Sequence, residues 1–360
     1  MKKPEWAGLH RSDSQGLLTP FLAAASALYR AGLALRPSVT PRRLSGFVLS
    51  VGNLAAGGTG KTPAVVMLAR WALRQGYRTA VLTRGYGGTY RNPVLEVSSG
   101  SGLCSDAGSA GDEPCLLAES LPGVPVIAGR KRYSAGLYAE NKFGSGFFIL
   151  DDGFQHRALA RDMDLVLMDA VHPWGNGHLL PRGPLREPLE NLERADAVVL
   201  TRAGSGDNAE AVRYVLRSMG MSVPVFLADH VPSCVVDHLG VEHPVHCLDG
   251  IKVAAFAGIG NPASFNRTLE KLGAEVVNFS SFPDHHIFTA QELDRLERGR
   301  RDSGAEWLVT TEKDWIRIRT GPRPYPGTIR SLRIAFSLLQ GSEGLLTTIS
   351  ERVEARGFHR

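Results

Sequence analysis

Cysteine is scarce. The 360 residues hold four, Cys104, Cys115, Cys234 and Cys247, with no C-x-x-C pair and no metal-ligand spacing. That argues against a disulfide scaffold and a structural zinc site, and it suits a reducing compartment. Each thiol reads as a small buried hydrophobe. A long uncharged apolar run is also missing. The best candidate, TPFLAAASALYRAGLALR from Thr19, is interrupted by Arg30, too early for the roughly 20 apolar residues that a bilayer-spanning helix needs. No period of 20–50 residues recurs, which excludes a solenoid. Surplus charge is missing from most of the chain as well. The formal net charge of +5 is carried by residues 1–43, where Lys2, Lys3, Arg11, Arg30, Arg36, Arg42 and Arg43 face only Glu5 and Asp13. Residues 44–360 balance, so the chain does not read as a nucleic-acid binder, whose basic footprint belongs on a face of the folded domain.

What the chain does have is ordinary globular composition, 43% apolar and 21% charged, and enough length for one large domain or two ordinary ones. Its N-terminal segment is patterned. Thr19 and Pro20 read as an N-cap and first helical position, and Phe21, Ala25, Leu28, Gly32 and Leu35 recur at helical spacing with Arg30 and Arg36 off the stripe. The long lead-in with Glu5 and Asp13 does not fit a secretory signal. Two readings remain: a helix lying in a membrane interface with basic flanks, or a helix packed on its own domain.

Residues 46–52, GFVLSVG, form a β-type apolar run, followed by NLAAGGTGKT and then by a helical stretch opened at Thr62-Pro63 and ended by Gly76. Strand, glycine loop, Lys-Thr and helix is the context of a P-loop. Here Ala55, Ala56, Gly57, Gly58, Thr59, Gly60, Lys61 and Thr62 are the phosphate-binding residues. The glycines let backbone N–H groups converge on phosphate oxygens at a helix N-terminus. Lys61 reaches the β- and γ-phosphates, and the Thr62 hydroxyl suits Mg²⁺. The strict G-x-x-x-x-G-K-[ST] pattern fails only at its first position, Ala55. At the position where deviant-loop ATPase switches carry a lysine this chain has Ala56, which speaks against a membrane-associated switch that recruits a partner protein.

A second apolar strand, GFFILDD over 146–152, delivers Asp151 and Asp152 at its carboxyl end, where open α/β sheets bind ligands. One of them is expected to hold Mg²⁺, directly or through water. Further strands at 79–83, 124–128, 164–168 and 197–201 predict a P-loop NTPase-like, mostly parallel sheet with helices on both faces. The Ser/Gly-rich stretch 97–111 reads as a flexible loop. After Val223-Pro224 the βαβ order restarts. The expected division is a basic amphipathic leader over 1–43, a P-loop domain over 44–228, and a smaller α/β lobe over 229–360 closing the active-site cleft. His285 and His286 are open to three readings: a metal site, a general base if a carboxylate lies near, or ordinary loop histidines.

Eight segments occur in order: GNLAAGGTGKTP from Gly52, RGYGG from Arg84, GDEP from Gly111, LDDGFQH from Leu150, LLPRGPLREP from Leu179, FAGIGNP from Phe256, FPDHHIF from Phe282 and TTEKD from Thr310. Together they resemble the tetraacyldisaccharide 4′-kinase family of lipid A biosynthesis. The resemblance implies transfer of the ATP γ-phosphate to the 4′-hydroxyl of an acylated glucosamine disaccharide 1-phosphate, by an enzyme peripheral to the cytoplasmic face of the inner membrane. No obligate protein partner is evident in the sequence. The resemblance places Asp112 at the catalytic base working with His285, Arg186 as a charge stabiliser on the phosphates, and Glu113, Asp151 and Asp152 in Mg²⁺ or substrate positioning. The lipid substrate it implies favours the interfacial reading of the leader, facing an anionic membrane. Arg130, Lys131 and Arg132 are candidates for the substrate's 1-phosphate. The Gly/Ser-rich insertion before Asp112 departs from the family, and the region after about residue 321 carries no motif.

Overall fold

The computed structural model describes residues 18–35, 37, 39–205, 208–320 and 326–358. The charges at Lys2, Lys3, Glu5, Arg11, Asp13 and Arg36 lie outside them. The chain folds as two compact units: residues 1–84, 124–230 and 336–360 form unit 1, and residues 85–123 with 231–335 form unit 2. The sequence division is thus redrawn. Residues 85–123 leave the P-loop unit, and residues 336–360 return to it. The return has a packing cause, since Phe358 lies 6.0 Å from the Tyr77 ring, which itself stacks on Phe147 at 5.2 Å.

Unit 1 is a parallel sheet. Strands β1 (Phe47–Asn53), β2 (Thr79–Thr83), β4 (Val126–Ala128), β5 (Phe147–Asp151), β6 (Met163–Asp169) and β7 (Ala197–Thr201) lie in the order β7–β6–β1–β5–β2–β4, and the start of β8 (Val225–Asp237) pairs with β7. Nearly every residue of the first six strands is buried, because helices cover both faces. This is why they read in sequence as apolar runs rather than alternations. The β1–β5 register sets Val51 beside Asp151. The glycine loop and the acidic pair therefore leave the sheet at the same edge.

Helix α1 (Thr19–Ala34) starts one residue earlier than expected, taking in Thr19 with Leu18 as its cap and Pro20 in the first turn, and buries no residue. Phe21, Leu28 and Leu35 stay more than 70% exposed. Among the described residues no helix is long and apolar enough to cross a membrane.

Unit 2 carries β3 (Leu95–Ser98), the short β9 (Glu242–His243) and a parallel sheet ordered β11–β10–β12–β13, from β10 (Lys252–Ala257), β11 (Glu275–Ser281), β12 (Trp307–Thr311) and β13 (Ile329–Leu338). Strand β10 shows how it is covered. Val253, Ala255 and Ala257 pack with Phe265 and Leu269 on one face; Ala254 and Phe256 pack with Leu293, Leu296 and Trp315 on the other. Alternate residues thus serve two layers. The stretch expected as a flexible loop is compact instead. A bridge joins Ser98 to Leu103, and Asp106 caps a short helix at 107–110 by accepting the Ser109 N–H at 2.7 Å. Of the thiols expected inside, Cys115 and Cys234 are buried and Cys104 is exposed.

Candidate active site

In unit 1 the loop 54–60 joins β1 to helix α2 (Lys61–Arg74). Gly60, the N-cap of α2, has φ +79°, and a Cβ there would lie 1.8 Å from His230 Nε2. Only glycine meets both demands. The loop is braced by segment 184–186: Ala56 N–H donates to the Pro184 carbonyl at 2.7 Å, and Arg186 N–H donates to the Leu54 carbonyl at 2.8 Å. Thr59 Oγ1 is buried with no partner among the described residues. An orphaned hydroxyl inside a glycine loop fits a phosphate-binding cradle.

Three of the expected site residues converge here. Asp152, at φ +52°, has both carboxylate oxygens 3.0 Å from Arg186 Nη1, and its Oδ1 lies 3.6 Å from Lys61 Nζ. Burial pushes the Asp152 carboxyl up, but Lys61 and Arg186 outweigh it and hold the group below the usual carboxylate value. Asp151 points inward, only 5% exposed, and accepts the Thr83 hydroxyl at 3.1 Å. Thr62 is buried in the first turn of α2. The basic run 130–132 is divided. Arg130 and Lys131 are exposed, whereas Arg132 is 2% exposed and donates to the Gly129 and Asp151 carbonyls. Arg132 therefore buttresses the acidic strand end and is not presented to a substrate phosphate.

Unit 2 holds the other half of the expected chemistry. Asp112 opens helix α3 (Asp112–Ser120), and the preceding Gly111 has φ +95° with its Cβ position 2.2 Å from the Tyr86 carbonyl. The RGYGG and GDEP segments are thus packed together, which accounts for their company in the sequence. Asp112 Oδ2 lies 3.6 Å from His285 Nδ1. Between them sits Arg317, which sequence reasoning missed. Its Nε donates to Asp112 Oδ2 at 2.6 Å, and its Nη2 lies 3.1 Å from His285 Nδ1. A guanidinium has no acceptor, so Nδ1 accepts and the neutral imidazole carries its proton on Nε2. Arg317 is fixed in turn by Asp314, fully buried, at 2.9 Å and by the Gly258 carbonyl at 3.1 Å. Asp314 also accepts the Gly258 N–H and the Thr311 hydroxyl. The TTEKD and FAGIGNP segments meet at this carboxylate.

His286 takes the ordinary loop role. Its Nε2 lies 3.1 Å from Glu292, which completes a capping box with Thr289, and its ring packs on Phe282 and Phe288. Glu113, expected near the metal, is ion-paired with Lys313 at 3.1 Å on unit 2, while Thr62, Asp151 and Asp152 belong to unit 1. Among the described residues no cluster of three or more His, Cys, Asp or Glu side chains has metal-binding geometry. One local signal for Arg317 existed: Asp314 and Arg317 are three apart on one helix, the spacing of an intrahelical ion pair.

Parallel sheet, glycine loop with Lys-Thr at a helix start, and acids leaving the adjacent strand are the architecture of a P-loop kinase. The family model for tetraacyldisaccharide-1-P 4′-kinase matches residues 18–354, and the chain belongs to that family. The tetraacyldisaccharide 4′-kinase of Syntrophus aciditrophicus is 45% identical over 312 residues, 81% of this chain and 82% of the relative. That of Anaeromyxobacter dehalogenans is 44% identical over 334 residues, 90% and 88% of the two chains. The crystal structure of LpxK from Aquifex aeolicus, solved in complex with ATP, superimposes with a TM-score of 0.77 at 34% identity, covering 94% of this chain and 99% of that one.

Proposed function

We propose that this chain transfers the γ-phosphoryl group of ATP to the 4′-hydroxyl of an acylated glucosamine disaccharide 1-phosphate. The observation that carries the reading is the Asp112–His285 pair tied by Arg317 in a chain of this family. A switch that only hydrolyses ATP needs no base for an alcohol, whereas a sugar hydroxyl is a weak nucleophile that must lose its proton. Arg317 takes Asp112 Oδ2 and leaves Oδ1 to accept that proton. The bond from O4′ to phosphorus forms as the bond from phosphorus to the β-phosphate oxygen breaks, and ADP leaves.

Residues 55–62 bind the ATP phosphates, with Lys61 and Arg186 neutralising charge on the γ-phosphoryl oxygens. Asp152, shared by both cations, keeps them poised at the loop. Oxygen donors from Thr62 and one or both of Asp151 and Asp152 fit Mg²⁺, which takes one or two carboxylates and completes its shell with phosphates and water. When bound, Mg²⁺ supplies charge neutralisation between the β- and γ-phosphates. Helix α1 places its exposed Phe21, Leu28 and Leu35 against the cytoplasmic face of the inner membrane, where basic residues of 1–43 meet anionic lipid.

The purified chain with Mg-ATP and the acylated disaccharide 1-phosphate is expected to yield the 4′-phosphorylated product. ATP hydrolysis without that product, stimulated by a partner protein, would favour the switch instead.

A further inference from the structure

Helix α1 is joined to the rest of unit 1 in an unusual way for an amphipathic helix. None of its residues is fully buried, and its apolar contacts are limited to half-buried side chains such as Leu22, Ala25 and Leu33. Two hydroxyls on its inner face do the joining. Ser26 Oγ donates to the Leu179 carbonyl at 2.6 Å, lies 3.2 Å from the Leu180 carbonyl and accepts the Arg182 N–H at 3.2 Å. Tyr29 Oη donates to the Arg186 carbonyl at 2.9 Å. All of these partners lie on loop 179–186.

That loop is the brace of the P-loop. Arg186 is gripped on both sides of its own backbone: its N–H by the Leu54 carbonyl and its C=O by Tyr29. Its side chain reaches Asp152. One hydrogen-bonded path therefore runs from the helix through Arg186 to the residues around Lys61. Hydroxyl-to-carbonyl bonds are directional and fix a backbone in a way that apolar contact does not. A helix whose task ended at the lipid surface would have no use for them on its opposite face.

We propose that Ser26 and Tyr29 are positioning residues for phosphoryl transfer, holding the backbone of loop 179–186 so that the Arg186 guanidinium is presented to the transferring phosphate. The proposal rests on the reading of Arg186 as charge stabiliser. The helix that meets the membrane is then also part of the catalytic unit.

The test uses the full chain and detergent-dispersed acylated disaccharide 1-phosphate, so that membrane binding does not limit the rate. Tyr29→Phe keeps the ring and removes only the hydroxyl; Ser26→Ala is its companion should either variant fold poorly. Each is expected to lower kcat by about two- to tenfold, the worth of one ordinary hydrogen bond. KM for the acceptor and sedimentation with phosphatidylglycerol–phosphatidylethanolamine vesicles stay at the wild-type level. In an Arg186→Ala background, Tyr29→Phe lowers kcat no further, because both act through the same group. Unchanged kcat in Tyr29→Phe and Ser26→Ala overturns the proposal, and so does an equal loss in the Arg186→Ala background. Wild-type kcat in Arg186→Ala alone would instead remove the underlying role of Arg186.

Discussion

Arg317 and Asp112 are 205 residues apart, yet the Arg317 Nε donates to Asp112 Oδ2 at 2.6 Å. The same guanidinium reaches His285 and the buried Asp314. One planar group with five N–H donors thus fixes Asp112, His285 and Asp314 together, a task that a single ammonium cannot copy.

Arg317→Ala is expected to act twice. It takes from the fully buried Asp314 its only cation among the described residues, at a cost of about 3–5 kcal/mol by thermal unfolding. It also frees Asp112 and His285 and lowers kcat. Arg317→Lys restores part of the stability but little of the rate. Equal recovery of both by lysine would mean that only charge matters at this position.

The His156 imidazole is pushed down to about 4, first by burial and then by Arg132, Arg161 and Arg84. The folded chain therefore stays neutral at this site while the unfolded chain protonates near the ordinary histidine value. Between those two values the unfolded state binds the extra proton, so stability falls as pH falls. Denaturant titrations across pH 4 to 6.5 are expected to show a slope about one proton steeper in the wild type than in His156→Gln. Parallel slopes would refute it.

Gly60→Ala should damage the phosphate loop on two counts, a left-handed φ of +79° and a Cβ 1.8 Å from His230 Nε2. ATP-analogue affinity by calorimetry is expected to drop on the order of ten- to a hundredfold. Adding His230→Ala removes the clash but not the backbone strain, so recovery is partial. Full recovery would show that φ carries no cost here.

The outer face of α1 offers a separate handle. Replacing Phe21, Leu28 and Leu35 by serine together should abolish sedimentation with anionic vesicles. Each large apolar side chain is worth about 1.5–3 kcal/mol when fully buried. Activity on detergent-dispersed acceptor stays near wild type, because these side chains face away from loop 179–186. Retained sedimentation would move membrane contact to another surface.

Much of unit 1 was legible because its strands are buried on both faces and read as unbroken apolar runs; 79–83 and 197–201 match to the residue. Strands β8 and β13 escaped for the opposite reason. Both are long and only partly buried, and VFLADHVPSCVVD and IRSLRIAFSL mix polar and apolar residues throughout. The C-terminal helix Gly344–Ala355 buries Leu345, Ile349 and Val353 at helical spacing, a pattern present in the sequence but without chemistry to draw attention to it. At the site, Lys61, Asp152 and Arg186 come together as the motifs imply. Arg132 does not follow its neighbours, since a run of three cations does not tell which one turns inward. Arg317 was hidden because its main partner lies two hundred residues away. The Ser/Gly-rich stretch 97–111 marks residues 85–123 in composition but reads only as a loop, so their transfer to unit 2 is visible only in contacts.

The return of residues 336–358 to unit 1 bears on how the protein is born. Phe358 closes an aromatic cluster with Tyr77, Trp71 and Phe147 beneath the P-loop sheet. During synthesis the ribosome delivers β1 and the glycine loop long before Phe358, a piece of their supporting core. Unit 2 ends at Ala335, ahead of that piece, and can finish first. Vectorial synthesis therefore favours a nascent chain in which unit 2 is complete before the aromatic core of unit 1 is closed.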